Sequence, residues 1–211
     1  MSLKINFLGK EFINPIIPAS GTFGFGYEFV DLYDLNILGG IALKGTTAMN
    51  QRVTKENYYL DIAQTVAQRG TCMRRKYGAV IVKNDSIVST GYAGAPRGRK
   101  NCCDLGYCMR VKMNIPRGQR YELCRSVHAE ANAIIAAPRE QMLGATLYLA
   151  GIDAVTCELV PDGDCCQMCK RMVINAGIER VIIRNTPEKY TVIDVENWIE
   201  HDDSLDGTIG Y

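Results

Sequence analysis

The sequence predicts an α/β protein, a mixed sheet covered by helices, with a β-rich N-terminal extension. Three observations predict it. Residues 77–83, 86–92, 145–150 and 181–184 are short apolar runs rich in β-branched residues, the mark of strands. Asn84-Asp85 between the first two runs signals a hairpin. Between the last two lies a helical stretch, 166–175, and strand, helix, strand with continuous apolar runs implies parallel pairing by a right-handed crossover. At 211 residues and 47% hydrophobic content the chain suits one domain with an extension.

Residues 3–8 and 11–13 alternate around Gly9-Lys10, a short hairpin. Pro15 and Pro18 break regularity, Gly21, Gly24 and Gly26 keep the next loop supple, and 37–44 is a buried-strand candidate. Thr54 caps a helix with Glu56 in its first turn; Tyr58, Ile62 and Val66, with Tyr59 and Ala63 beside them, form its apolar stripe, and it ends near Gly70. Residues 128–137 form an alanine-rich helix with Ser126 as the expected cap and Pro138 as the stop. The helix from Cys166 ends at Ala176-Gly177, the usual place for a terminal glycine. Beyond Pro187, residues 190–193 read as an edge strand and 195–199 as a short helix carrying Trp198, with the last ten residues frayed or partner-bound.

The net charge of +1 hides an asymmetry. Between Thr71 and Arg120 lysines and arginines face only Asp85 and Asp104, and after Tyr190 there are acidic residues but no Lys or Arg. Such runs are either solvated faces or, for the basic stretch, a place to meet phosphate. No apolar run is long enough to span a bilayer and the N-terminus has no basic leader, so a cytoplasmic location is expected. Nine cysteines in a reducing compartment point to metal ligation or free thiols, not to a disulfide framework.

The chemistry lies in Ser126-Val127-His128-Ala129-Glu130 and Cys165-Cys166-Gln167-Met168-Cys169. One His and a Cys-x-x-Cys pair supply three ligands for tetrahedral zinc, with the fourth position left to water, which is a catalytic count. Glu130 is placed to take and return a proton without being a ligand, a role that a structural zinc site does not need. The metal ligands are read as His128, Cys166 and Cys169. Cys166 is preferred to Cys165 because it lies one helical turn from Cys169, at a helix N-terminus that favours thiolate.

These motifs resemble the zinc-dependent cytidine and deoxycytidylate deaminase superfamily, with its H-x-E and P-C-x-x-C signature; Cys165 stands where that family usually has Pro. The resemblance implies a three-layer α/β/α fold, Zn2+ as cofactor, attack at C4 of cytosine, and deamination of dCMP to dUMP with release of ammonia. Residues 71–82 with Ser89-Thr90-Gly91-Tyr92 look like the deoxycytidylate branch in particular. By resemblance the Ala129 backbone N–H fixes the pyrimidine carbonyl and Asn84 hydrogen-bonds the sugar, although Asn84 read by itself is a turn former. At Ala93 that branch often carries an Asn that helps bind the nucleotide, and this chain departs from it. The loop with Arg97, Arg99 and Lys100 is the candidate for a 5′-phosphate. Some relatives carry a second, structural zinc; Cys72, Cys108 and Cys124 with Cys102 or Cys103 are either its ligands here or a set of free thiols.

The N-terminus carries a different resemblance. Residues 14–26, with Lys44-Gly45-Thr46-Thr47, resemble the start of flavin-dependent dihydroorotate dehydrogenases, in which residues matching Ala19, Ser20 and Lys44 belong to the flavin and orotate site. A barrel of that kind needs roughly 250 residues, so no dehydrogenase activity and no stable flavin are expected. Residues 1–48 are read as a non-functional fragment and 49–211, from a possible initiator Met49, as the deaminase domain. The expected partner is a small pyrimidine nucleotide, not a membrane or a nucleic acid, in a homo-oligomer. The alternatives are a cytidine, deoxycytidine or tRNA adenosine deaminase, or a zinc-binding module without activity. An aromatic content of 8% is sparse for a tRNA-binding face, and Glu130 argues against an inactive module.

Overall fold

The computed structural model describes residues 4–7, 9–13, 34, 38, 52–116, 118–161 and 163–202. The chain divides into two units, Met1–Arg52 and Val53–Tyr211. In the first, β1 (Ile5–Phe7) and β2 (Lys10–Phe12) pair antiparallel around Gly9, whose φ of +76° favours glycine. The strand expected at 37–44 and the residues Ala19, Ser20 and Lys44 lie outside the described residues, Leu38 apart.

The second unit begins with α1 (Lys55–Ala67), capped by Thr54, whose side chain accepts from the Asn57 N–H. The hairpin of β3 (Arg75–Lys83) and β4 (Ser86–Tyr92) turns at Asn84 and Asp85, both in the left-handed region. Two short helices, α2 (Cys102–Leu105) and α3 (Met109–Lys112), precede α4 (Ala129–Ile135) and α5 (Arg139–Met142). Then come β5 (Thr146–Asp153), α6 (Gln167–Ala176), β6 (Arg180–Arg184), β7 (Tyr190–Asp194) and α7 (Glu196–Glu200). The sheet runs β4-β3-β5-β6-β7, with β5 and β6 parallel and the other pairs antiparallel. This is the expected mixed sheet in an α/β/α arrangement.

Alternation along the strands builds both cores. Val80, Val82, Tyr148, Ala150 and Ile182 pack with Tyr59, Leu60 and Ala63 of α1. Ala79, Ile81, Leu147, Leu149, Val181 and Ile183 pack on the other face with Ala129 and Ala133 of α4 and Cys169 and Val173 of α6. Central strands buried on both faces explain the continuous apolar runs.

The stripe of α1 differs from the expected one. Its buried residues are Tyr59, Leu60, Ala63 and Ala67, whereas Tyr58 is 53% exposed. The cause is a close approach to β3: a Cβ on Gly78 would stand 2.1 Å from the Ala63 carbonyl oxygen. Only small residues fit where the two elements meet, which rotates the helix towards its alanines. Gly91 of β4 does the same for α4, since a Cβ there would lie 2.3 Å from the Ala129 carbonyl oxygen and 2.3 Å from the Ala133 nitrogen. Ser89 Oγ adds a buried hydrogen bond to the Ala133 carbonyl at 2.8 Å.

Candidate active site

Two helix N-termini build the site. His128, not Ser126, is the N-cap of α4, at φ −71° and ψ 158°. The chain stays extended up to this point because Val127 pairs with Gly94 in an isolated antiparallel bridge, so helical geometry starts one residue past the His. Cys166 is the N-cap of α6, also extended, and Cys169 lies one turn in, fully buried. Nδ1 of His128 lies 3.3 Å from Cys166 Sγ and 3.4 Å from Cys169 Sγ. The ligand atoms of these three residues all lie within 4.8 Å of one another. Glu130, 4% exposed, stands in the first turn of α4 and lines the same cavity as His128, Ala129 and Cys166. As the first residue of α4, Ala129 has a backbone N–H with no acceptor one turn back.

The electrostatics describe a cluster holding protons. Burial works to lower the pKa of His128, but hydrogen bonds with Cys124 and Cys166 and the charge of Glu130 overcome it and lift the value to about 11. Cys166 is drawn down to about 4, first by the hydrogen bond from Cys169 and then, against burial, by His128. Cys169, which donates that bond, is pushed up. Burial also raises Glu130, against the pull of His128. Two cysteines and a histidine converging on one point are a donor set that suits zinc, whose uptake displaces the protons that His128 and Cys169 hold.

Asn84 is not brought to the cavity. It sits in the turn at the far end of β3 from Arg75 and Tyr77, which do line it, so its turn-forming role is the one the structure supports. Arg97, Arg99 and Lys100 are exposed and outside the lining. The basic residues that line the cavity are Arg74, Arg75 and Arg110. Arg110 is 5% exposed; its guanidinium lies 4.3 Å above the ring of Tyr121, and its Nη2 donates to the Pro116 carbonyl at 2.8 Å. Tyr121 in turn meets the His128 ring edge-on, with centroids 5.3 Å apart. The loop expected to meet a phosphate thus lies outside the cavity lining, whereas Arg74, Arg75 at the start of β3 and Arg110 of α3 edge it. Ala93, where a nucleotide-binding Asn was the family expectation, does line the cavity. Cys72, Cys108 and Cys124 line it as well, but among the described residues only His128, Cys166 and Cys169 come together tightly enough to share a metal.

A buried carboxylate beside an open three-donor zinc site, at helix N-termini against a mixed sheet, defines a hydrolytic zinc enzyme. Residues 53–185 match the family described as the cytidine and deoxycytidylate deaminase zinc-binding region, and the chain belongs to that family of zinc-dependent deaminases. It is similar to the deoxycytidylate deaminase of Mycobacterium phage D29, 37% identical over 60% of this chain and 91% of that protein. It is 33% identical to the deoxycytidylate deaminase of Schizosaccharomyces pombe over 62% of this chain, but spans only 37% of that longer protein. The solved dCMP deaminase of the cyanophage S-TIM5 is 27% identical, with 64% of this chain and 86% of that one covered and a TM-score of 0.45.

Residues 2–68 match dihydroorotate dehydrogenase. A catalytic subunit from Malacoplasma penetrans is 62% identical over 45 residues, 15% of its length. The family match runs past Ala48 and overlaps the deaminase match in α1, which packs into the second unit. Among the described residues no helix is long and apolar enough to cross a membrane.

Proposed function

We propose that this chain deaminates dCMP to dUMP, and that His128, Cys166 and Cys169 hold the zinc, Glu130 moves the proton, and Ala129 orients the base. The observation that carries this reading is the buried Glu130 in a cavity shared with His128 and Cys166 and edged by Arg74, Arg75 and Arg110. Zinc, when bound, makes a water acidic enough to serve as nucleophile near neutral pH. Glu130 accepts the water proton at a carboxylate oxygen and passes it to N3 of the ring; it then takes the proton of the new C4 hydroxyl and hands it to the departing amine, so that the C4 carbonyl forms as the C4–N bond breaks. Its raised pKa brings it closer to the range where it can both take and give a proton. The Ala129 N–H donates to the pyrimidine carbonyl, and burial among apolar residues keeps bulk water from competing.

The arginines that edge the cavity are the phosphate-binding candidates. A charge-assisted hydrogen bond contributes about 1.5–3 kcal/mol, so Arg74→Gln and Arg75→Gln should each lower kcat/KM for dCMP by roughly 10- to 100-fold where the arginine meets the phosphate, with deoxycytidine little affected. Arg97→Gln should leave the ratio of the two substrates unchanged. A side-by-side absorbance assay of dCMP, CMP, deoxycytidine and cytidine decides it, and equal rates on dCMP and deoxycytidine would favour a nucleoside deaminase instead.

The reading also takes residues 1–48 to be dispensable and the deaminase to be a cytoplasmic homo-oligomer. The residues that line the cavity lie between Cys72 and Cys166, all nine cysteines are unpaired, and an apolar groove between Ile134, Met142, Met168 and Met172 offers a surface for self-association. A chain starting at Met49 is expected to keep its activity and to sediment as an oligomer. Loss of activity, or sedimentation at the mass of one chain, would contradict it.

A further inference from the structure

The loop between α3 and the single 3₁₀ turn Tyr121–Leu123 carries backbone strain. Asn114 and Arg120, neither of them glycine, sit in the left-handed region at φ 53° and 52°. A residue with a Cβ keeps that conformation only where its surroundings hold it there, and such positions gather around functional sites. What holds this loop is Arg110, 5% exposed. Its Nη2 donates to the carbonyls of Pro116 and Gln119, its own carbonyl accepts from the Ile115 N–H at 2.9 Å, and its guanidinium covers the Tyr121 ring. The left-handed Arg120 comes immediately before Tyr121 and so sets the direction in which that side chain leaves the backbone. The Tyr121 ring ends up at 85° to the ring of His128.

We infer that Tyr121 is a positioning residue for His128: its ring fixes the plane of the imidazole for zinc, and Arg110 holds it in place. The inference rests on His128 being a zinc ligand. A histidine that binds metal through one nitrogen is normally turned to the right plane by a carboxylate or carbonyl at the other. Here Nδ1 faces the two thiols, and among the described residues no carboxylate or backbone carbonyl oxygen hydrogen-bonds to the ring. A T-shaped aromatic contact supplies the orientation instead, since the attraction between ring edge and ring face falls away as the imidazole turns. Arginine suits the task of holding the tyrosine. Its planar fork meets two carbonyls while its face stacks on the ring, a combination that lysine cannot reproduce.

The test measures the zinc affinity of the full-length protein by competition with a chelator, and its visible spectrum after zinc is replaced by Co2+. Tyr121→Phe keeps the ring and should match the wild type in both. Tyr121→Leu and Tyr121→Ala should each bind zinc about tenfold more weakly, the lower end of the roughly 10- to 100-fold cost of losing a group that orients a metal-binding histidine, and should shift the Co2+ bands because the imidazole plane has turned. Leucine keeps most of the volume and alanine removes it, so whichever folds gives the reading. Arg110→Lys should show a smaller loss of the same kind, and no further loss when Tyr121→Leu is already present, because it acts through the ring. Unchanged zinc affinity in the leucine and alanine variants, failure of both to fold, an equal loss in Tyr121→Phe, or an added loss from Arg110→Lys in the Tyr121→Leu background would overturn the inference. So would an effect confined to KM for dCMP, which would make Tyr121 a substrate contact. Full zinc affinity in His128→Ala would instead overturn the ligand assignment of His128 itself.

Discussion

Glu130→Gln is expected to keep its zinc and lose nearly all turnover. Glutamine matches the shape of the carboxylate, and none of the proposed ligands is altered. It cannot accept a proton, however, and general acid–base catalysis of this kind contributes about 10²- to 10⁴-fold. Because Glu130 serves both the proton uptake and the later release, the loss should lie towards the upper end and fall on kcat, with KM little changed. Metal analysis alongside single-turnover kinetics checks it. A zinc-loaded variant with normal turnover would end the proposed mechanism, and a zinc-free one would mean that Glu130 helps to hold the metal.

Cys166→Ala and Cys169→Ala are expected to lose the metal and, with it, activity. Two protein donors rarely retain zinc where three are needed, and the half-buried His128 would lose one of the thiol neighbours that now lie 3.3 and 3.4 Å from its Nδ1. The effect should also reach stability, because metal binding contributes to folding when the unfolded chain has no assembled site. Zinc analysis and melting curves with and without added zinc separate the two effects. Metal loss in Cys165→Ala but not in Cys166→Ala would reverse the assignment of the two neighbours.

The parts of the fold legible in the sequence were those set by local period. The hairpin turning at Asn84-Asp85, the strands of the central sheet, the Thr54 cap and the Gly177 stop all depend on residues close in sequence. The convergence of His128, Cys166 and Cys169 was legible because their spacing carries the chemistry. What could not be read depends on distant segments. The stripe of α1 was misjudged by one position since helix rotation answers to Gly78, on another element. Ser126 has the composition of a cap, but the Val127–Gly94 bridge, formed with a distant segment, moves the helix start to His128. Asn84, expected at the sugar by resemblance, sits in the turn at the end of β3 away from Arg75 and Tyr77, and which basic residues border the cavity is a property of the folded chain.

The two glycines of the β3–β4 hairpin work as a gauge. Gly78 faces α1, Gly91 faces α4, and they occupy neighbouring rungs of the ladder, Gly78 opposite Tyr92 and Ala79 opposite Gly91. A slip of one residue would present Tyr77 or Ala79 to one helix and Thr90 or Tyr92 to the other, driving a side chain into helix backbone on whichever face it turned to. Mispaired hairpins are thus rejected by volume exclusion, with no polar interaction needed to tell right from wrong. The fit at Gly91 sets how high α4 rides above the sheet, and therefore the depth at which His128 meets Cys166 and Cys169. The spacing of both helices from the sheet is thus held by two positions that carry no side chain.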